Sequence, residues 1–194
     1  MVQAEADNMK TQTRPDSGRR QQLAHNIVLI GFMGSGKTSL GRHLAKVTGF
    51  DCYDLDEIIQ RMTGQTVSEL FASRGEAYFR QCESEAVASL QWVKRAVIAC
   101  GGGVVLAAAN VDNLRRCGKL VWLQARPQTI YDRLCQHSDR PLLNGKGPED
   151  IAAMLAARQR LYDEAADYAV VTDGKPVAAV GADILGLLAG SKVQ

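Results

Sequence analysis

The chain has 194 residues, 46% apolar and 23% charged, the size and balance of one ordinary globular domain with a sizeable core. A net charge of only +2 argues against nucleic-acid or membrane-surface partners. No apolar run of about 18 residues crosses a membrane, the N-terminus lacks a secretory h-region, and the five scattered cysteines, odd in number and without a CxxC pair, exclude a disulfide framework or zinc site and fit free thiols in a reducing cytoplasm.

Residues 1 to about 24 are polar and charged and cannot bury enough surface to offset their ordering entropy, so they are expected to form a disordered tail ahead of a single domain over 25–194. "NIVLIG" then reads as a buried strand, followed by a helix from residue 37 to about 47. "FDCYDLD" reads as a second strand. "DEIIQRMTG" and "TVSELFASRG" read as short helices ending at Gly64 and Gly75, and "GEAYFRQCESEAVASLQWV" as a longer amphipathic helix. "AVIAC" is a third strand that runs into "GGG", and "AAANVDNLRRCG" is helical. "KLVWLQ" is a fourth strand and "PQTIYDRLCQ" a helix. "HSDRPLLNGKGP" has loop composition, and "PEDIAAMLAARQRLYDEAA" is helical with Pro148 near its start. "YAVVT" is a fifth strand and "PVAAVGADILGLLA" a closing helix. Strands alternating with helices predict an α/β fold, a five-stranded parallel sheet with helices on both faces.

The first strand ends in "GFMGSGKT", which fits G-x-x-x-x-G-K-[ST] with Gly31, Gly36, Lys37 and Thr38. The glycines let the backbone curl so that its N–H groups and the helix N-terminus cradle phosphate oxygens. Lys37 reaches toward the β/γ-phosphates and Thr38 offers a hydroxyl to Mg²⁺. The ligand is therefore a nucleoside triphosphate, with a switch, a motor or a transferase as candidate roles. No N-K-x-D signature of a guanine-specific switch follows, and "AVIAC" ends in glycine rather than in the acid of a motor ATPase.

A metal carboxylate must then come from elsewhere, and Asp54 and Asp56 in "YDLD" supply it. At i and i+2 on an extended segment they point to one side, at the strand ends where an open α/β sheet binds ligands; the competing role is an N-cap pair for "EIIQRM". Gly101, Gly102 and Gly103 also end a strand, and three glycines together point to close approach of backbone to a ligand. Arg140 lies in a loop long enough to move and to bring charge onto a migrating phosphoryl group.

In order and spacing, "GFMGSGKT", "YDLDEII", "GEAYFRQCESE", "GGGVV", "RPLL" and "RQRLY" resemble the shikimate kinase family over roughly residues 26–190. The P-loop is common to many proteins, whereas "DLDEII", "FR…E" and "GGGVV" together are specific. The resemblance implies a P-loop NTPase fold, a three-layer α/β/α kinase with a helical substrate-binding segment at about 55–85 and a mobile lid at about 138–147. It implies ATP and Mg²⁺ as cofactors, and phosphorylation of the 3-hydroxyl of shikimate by a cytoplasmic, monomeric enzyme.

By position, Gly34, Ser35, Gly36, Lys37, Thr38 and Ser39 would hold the phosphates, and Arg133 and Pro176 would sandwich the adenine. Thr38 and Asp54 would serve Mg²⁺. Arg80 and Arg158 would grip the shikimate carboxylate in a bidentate manner, with Glu83 orienting Arg80. Asp56 would bind the ring hydroxyls and take the proton of the attacking one, Gly101, Gly102 and Gly103 would present backbone N–H groups, and Arg140 would meet the phosphoryl group. Ala99 stands where some members of the family carry a hydroxyl. The alternatives are another small-metabolite kinase of this fold, such as a gluconate kinase, or a non-catalytic ATP-binding regulator.

Overall fold

The computed structural model describes residues 23–135 and 147–190. Five strands form one sheet: β1 (Asn26–Ile30), β2 (Asp51–Asp54), β3 (Ala96–Ala99), β4 (Gly118–Gln124) and β5 (Tyr168–Val171). Their order is β2-β3-β1-β4-β5, and every pairing is parallel. Among the described residues, the strands are joined by α1 (Lys37–Thr48), α2 (Leu55–Thr63), α3 (Val67–Ser89), α4 (Ala108–Cys117), α5 (Pro127–Cys135) and α6 (Pro148–Ala165), and α7 (Val177–Gly190) follows β5.

A strand buried on both faces needs apolar residues at every position, which is why "IVLI" is a continuous run rather than an alternation. Side chains of β1 divide between the two faces by the period of the pleat. Ile27 and Leu29 pack with Leu40 and Leu44 of α1 and with Val180 and Ile184 of α7. Val28 and Ile30 face a larger core with Phe79 of α3, Leu114 of α4 and Tyr162 of α6. The sheet thus lies between two helical layers.

The polar Asn26 at the start of β1 is 4% exposed, yet its amide is fully used. It donates to the carbonyls of Val93 (2.8 Å) and Cys117 (2.9 Å) and accepts from the N–H of Ala96 (3.0 Å). One side chain therefore ties β1 to the chain entering β3 and β4. At the other end of β1 the chain order reverses, with β3 on one side and β4 on the other, and the ligand crevice of an open α/β sheet lies there.

Two expectations about elements change. β2 stops at Asp54 because Leu55 already begins α2, so Asp54 and Asp56 are not on one extended segment. The long helix ends at Ser89, so "LQWV" is a turn outside it. As expected, two helical segments meet at Gly75, whose φ 78°, ψ 175° is non-helical; they are labelled together as α3. Thr66 opens α3 with a capping box: its hydroxyl accepts from the N–H of Glu69 (3.2 Å), whose carboxylate accepts from the N–H of Thr66 (2.7 Å). The expected tail falls almost wholly, and the expected lid at 138–147 all but its last residue, outside the described residues.

Substituting Asn26→Leu would remove the buried partner of the Cys117 carbonyl and the Ala96 N–H, and the part-buried one of the Val93 carbonyl. A loss of about 3 kcal/mol in unfolding free energy is expected, read from urea denaturation; a loss under about 1 kcal/mol would show that water replaces the amide.

Candidate active site

The P-loop leaves β1 through three glycines with positive φ, Gly31 (141°), Gly34 (77°) and Gly36 (98°). At Gly31 a Cβ would stand 2.6 Å from the Leu123 carbonyl oxygen, so both the angle and the space demand glycine. Gly36 is the N-cap of α1, which aims the free N–H groups of that helix at the loop. Lys37 is 8% exposed, and its ammonium donates to the carbonyls of Gly31 and Phe32, each at 2.8 Å, folded along the loop it serves. Ser35 is buried against this ammonium, 3.4 Å away.

Thr38 donates its hydroxyl to Asp54 Oδ2 at 2.7 Å, while Asp54 Oδ1 accepts from the N–H of Asp56 at 3.0 Å. Asp54 therefore caps α2 and at the same time joins the P-loop helix to the end of β2. The expected pairing with Asp56 along an extended segment is replaced by a strand-to-helix corner. Both acids still line one cavity of about 930 Å³, together with Gly34, Gly36, Lys37, Thr38, Ser39, Gly101 and Gly102.

At the glycine turn that borders this cavity, α3 presents Arg80 beside Gly103. Its Nη1 donates to Glu83 Oε2 (2.8 Å), and its Nε (3.2 Å) and Nη2 (3.0 Å) donate to Glu76. Burial weakens the charged form of Arg80, but the two carboxylates outweigh it and raise its pKa. Glu83 is 1% exposed, and among the described residues its Oε1 accepts no hydrogen bond. Burial pushes its carboxyl up, with Arg80 pulling the other way. From α6, Arg158 lies over the Phe32 ring at 5.6 Å and reaches the Gly102 carbonyl at 3.5 Å.

The glycine turn sits between these arginines. A Cβ on Gly103 would overlap the Arg80 guanidinium, one on Gly101 would lie 2.6 Å from Glu83 Oε1, and one on Gly102 would lie 3.0 Å from the Met33 N of the P-loop. The three glycines make room for the side chains and backbone that shape the site. Arg80, Arg158, Asp56 and residues 101–103 thus come together opposite the P-loop.

On the far side, Arg133 bonds to the carbonyl of Gly34 (3.2 Å) and to Thr172 through its hydroxyl (3.2 Å) and carbonyl (3.1 Å). Pro176 is exposed before α7, and its neighbours Lys175 and Val177 line the cavity. Arg140 lies outside the described residues. Sequence reasoning missed Thr172, which carries no motif, and Tyr162, whose hydroxyl donates to the Gly102 carbonyl. The signal for Tyr162 is its place four residues after Arg158 in "RQRLY", on the same helix face.

The family model described as "SKI: Shikimate kinase" matches residues 33–189. A shikimate kinase of Moorella thermoacetica is 50% identical over 159 residues, covering 82% of this chain and 91% of that protein. One from Thermodesulfovibrio yellowstonii is 46% identical, covering 77% and 86%. A solved structure of shikimate kinase from Acinetobacter baumannii in complex with shikimate superimposes with a TM-score of 0.83 at 35% identity, covering 88% of this chain and 96% of that one.

The raised pKa of Glu83 has a consequence for stability. The folded state favours the protonated carboxyl, so this group's contribution is fully present below the ordinary carboxylate pKa and is lost as pH rises through the raised folded value. Glu83→Gln cannot titrate. Its unfolding free energy relative to the wild type is expected to improve progressively as pH is raised from acid to neutral in urea titrations; a pH-independent difference would show that Glu83 titrates alike in both states.

Proposed function

The chain belongs to the shikimate kinase family, and on that premise we propose that it transfers the γ-phosphoryl group of ATP to the 3-hydroxyl of shikimate. The observation that carries this reading is the convergence of Arg80 and Arg158 on the glycine turn opposite a P-loop. A carboxylate fits two guanidinium groups held there, and their forks favour it over a neutral group. A substrate so anchored extends its hydroxyls toward Asp56, which shares the cavity with the P-loop.

The roles follow from position. The N–H groups of Gly34, Ser35 and Gly36, with those of Lys37, Thr38 and Ser39 at the head of α1, take the phosphates, and Lys37 neutralises their charge. Thr38 and Asp54 form an all-oxygen pair beside the loop, the donor chemistry that suits Mg²⁺. When bound there, the ion would withdraw charge from the phosphate oxygens. Arg133 and Pro176 flank the adenine end. Asp56 accepts the proton of the 3-hydroxyl as that oxygen bonds to phosphorus and the bond from phosphorus to the bridging oxygen of ADP breaks. The rate comes from positioning and charge neutralisation rather than from covalent catalysis.

We also read the protein as a cytoplasmic monomer. Its five cysteines are free thiols, as a reducing compartment keeps them, and among the described residues no helix is long and apolar enough to cross a membrane.

The test is ADP release from MgATP with shikimate, quinate or gluconate as acceptor. Release with shikimate alone is expected. ATP binding without release for any acceptor would favour a non-catalytic regulator. Arg80→Ala is expected to raise the KM for shikimate about 10- to 100-fold while leaving that for ATP nearly unchanged, the loss of a charge-assisted pair. Equal effects on both substrates would remove Arg80 from the carboxylate site.

A further inference from the structure

Tyr162 lies on α6, one turn beyond Arg158, with no exposed surface. Its ring stacks on Trp122 of β4, with centroids 5.8 Å apart and planes at 19°. Packing alone would need only the ring. The hydroxyl donates to the Gly102 carbonyl at 2.5 Å, and Arg158 Nη1 approaches that same oxygen at 3.5 Å. Burial pushes the phenol up to about 12, with the Arg158 guanidinium pulling the other way, so the group is a neutral donor throughout the physiological range. Glu83 and Arg80 also act on it, which puts the hydroxyl among the charges of the acceptor site.

Residues 101–103 carry no side chain to restrain them, and glycine peptides reorient at little steric cost. Something outside the turn must hold it. A trans peptide is planar, with its C=O and N–H pointing in opposite directions, so a bond to the Gly102 oxygen also sets the direction of the Gly103 N–H. That N–H donates to no group among the described residues. Gly103 abuts the Arg80 guanidinium, and Gly102 abuts the P-loop at Met33. A slack turn would disturb both arginines together.

We propose that Tyr162 is a positioning residue for the carboxylate of the acceptor: its hydroxyl clamps the peptide between Gly102 and Gly103 and steadies Arg158 beside it, so that Arg80, Arg158 and the Gly103 N–H meet the carboxylate as a preformed set. This rests on the reading of shikimate as acceptor. The hydroxyl touches no substrate atom; it acts through the turn and through Arg158.

Tyr162→Phe keeps the ring and its stack and removes only the donor. The KM for shikimate is expected to rise about tenfold, with the KM for ATP unchanged and kcat within about threefold, the signature of a lost binding contact. Calorimetry supplies a second readout. The preference for shikimate over its carboxamide, which lacks the charge, is expected to narrow about tenfold in the variant. Trp122→Phe is the structural control: it loosens the stack but leaves the hydroxyl, and is expected to lower Tm without raising the KM for shikimate. Unchanged shikimate KM and carboxamide preference in Tyr162→Phe, or an equal rise in KM in Trp122→Phe, would overturn the proposal. Wild-type protein that neither binds nor phosphorylates shikimate would overturn the reading of function and this inference with it, whereas a normal wild type with an indifferent Tyr162→Phe overturns this inference alone.

Discussion

The site depends on two turns passing each other with nothing between them but backbone. β1 and β3 are parallel neighbours, with Leu29 opposite Ala99, so their C-terminal loops leave the sheet about one strand spacing, ~4.8 Å, apart. In the proposed reading one loop curls around phosphates while the other passes beneath it. Gly102 lies against the Met33 N of the P-loop so closely that a Cβ there would stand 3.0 Å away. Side chains at this crossing would push the loops apart and separate the phosphate cradle from the acceptor. The glycines of both loops answer one steric constraint set by the strand order.

Charge is arranged around that crossing. Lys37 is folded onto P-loop carbonyls, and Arg133 links the same loop to Thr172, so the nucleotide side is built from cations held by backbone oxygens. On the acceptor side the cations are held by carboxylates. Arg80 has Glu83 on one side and Glu76 on the other, and a guanidinium held from two sides has few rotamers left to lose when a ligand binds. The burden falls on Glu83, buried with one oxygen unpartnered among the described residues. Such a carboxylate is costly in isolation and persists because Arg80 stands 2.8 Å away.

Much of this was legible in the sequence, though not always for the right reason. The apolar run of β1, the glycine loop and the positions of all five strands followed from periodicity and from punctuation by glycine and proline. Asp54 and Asp56 were picked out on a strand-alternation argument, but the chain turns helical between them. What places Asp56 is the helix that Asp54 caps, and a single capping residue can end a strand without any break in the apolar pattern. The glycines at 101–103 were expected to yield to a ligand. They yield first to Arg80, Glu83 and the P-loop, contacts made by residues distant in sequence that no local pattern encodes. Asn26 and Tyr162 were opaque for the same reason, since each acts through hydrogen bonds to partners dozens of residues away.

The acceptor wall is assembled from three elements with different anchorage. Residues 101–103 follow β3, which lies inside the sheet between β2 and β1 and fixes where the turn begins. Arg158 stands on α6, whose tie to the turn is the hydroxyl of Tyr162. Asp56 and Arg80 stand on α2 and α3, which follow the edge strand β2. Side-chain bonds from Asp54 to Thr38 beside the P-loop and from Glu57 to Arg42 on the surface tie that unit to α1. The surface pair is worth little in water. The Thr38 bond, part-buried, is the stronger tie, and its two oxygens are the pair proposed above for Mg²⁺. The elements that carry Asp56 and Arg80 are therefore fastened to the P-loop helix through Asp54, in addition to the core that Phe32 and Met33 of the P-loop share with Leu55, Ile59 and Phe79, so that a change at Asp54 would reach both sides of the proposed reaction.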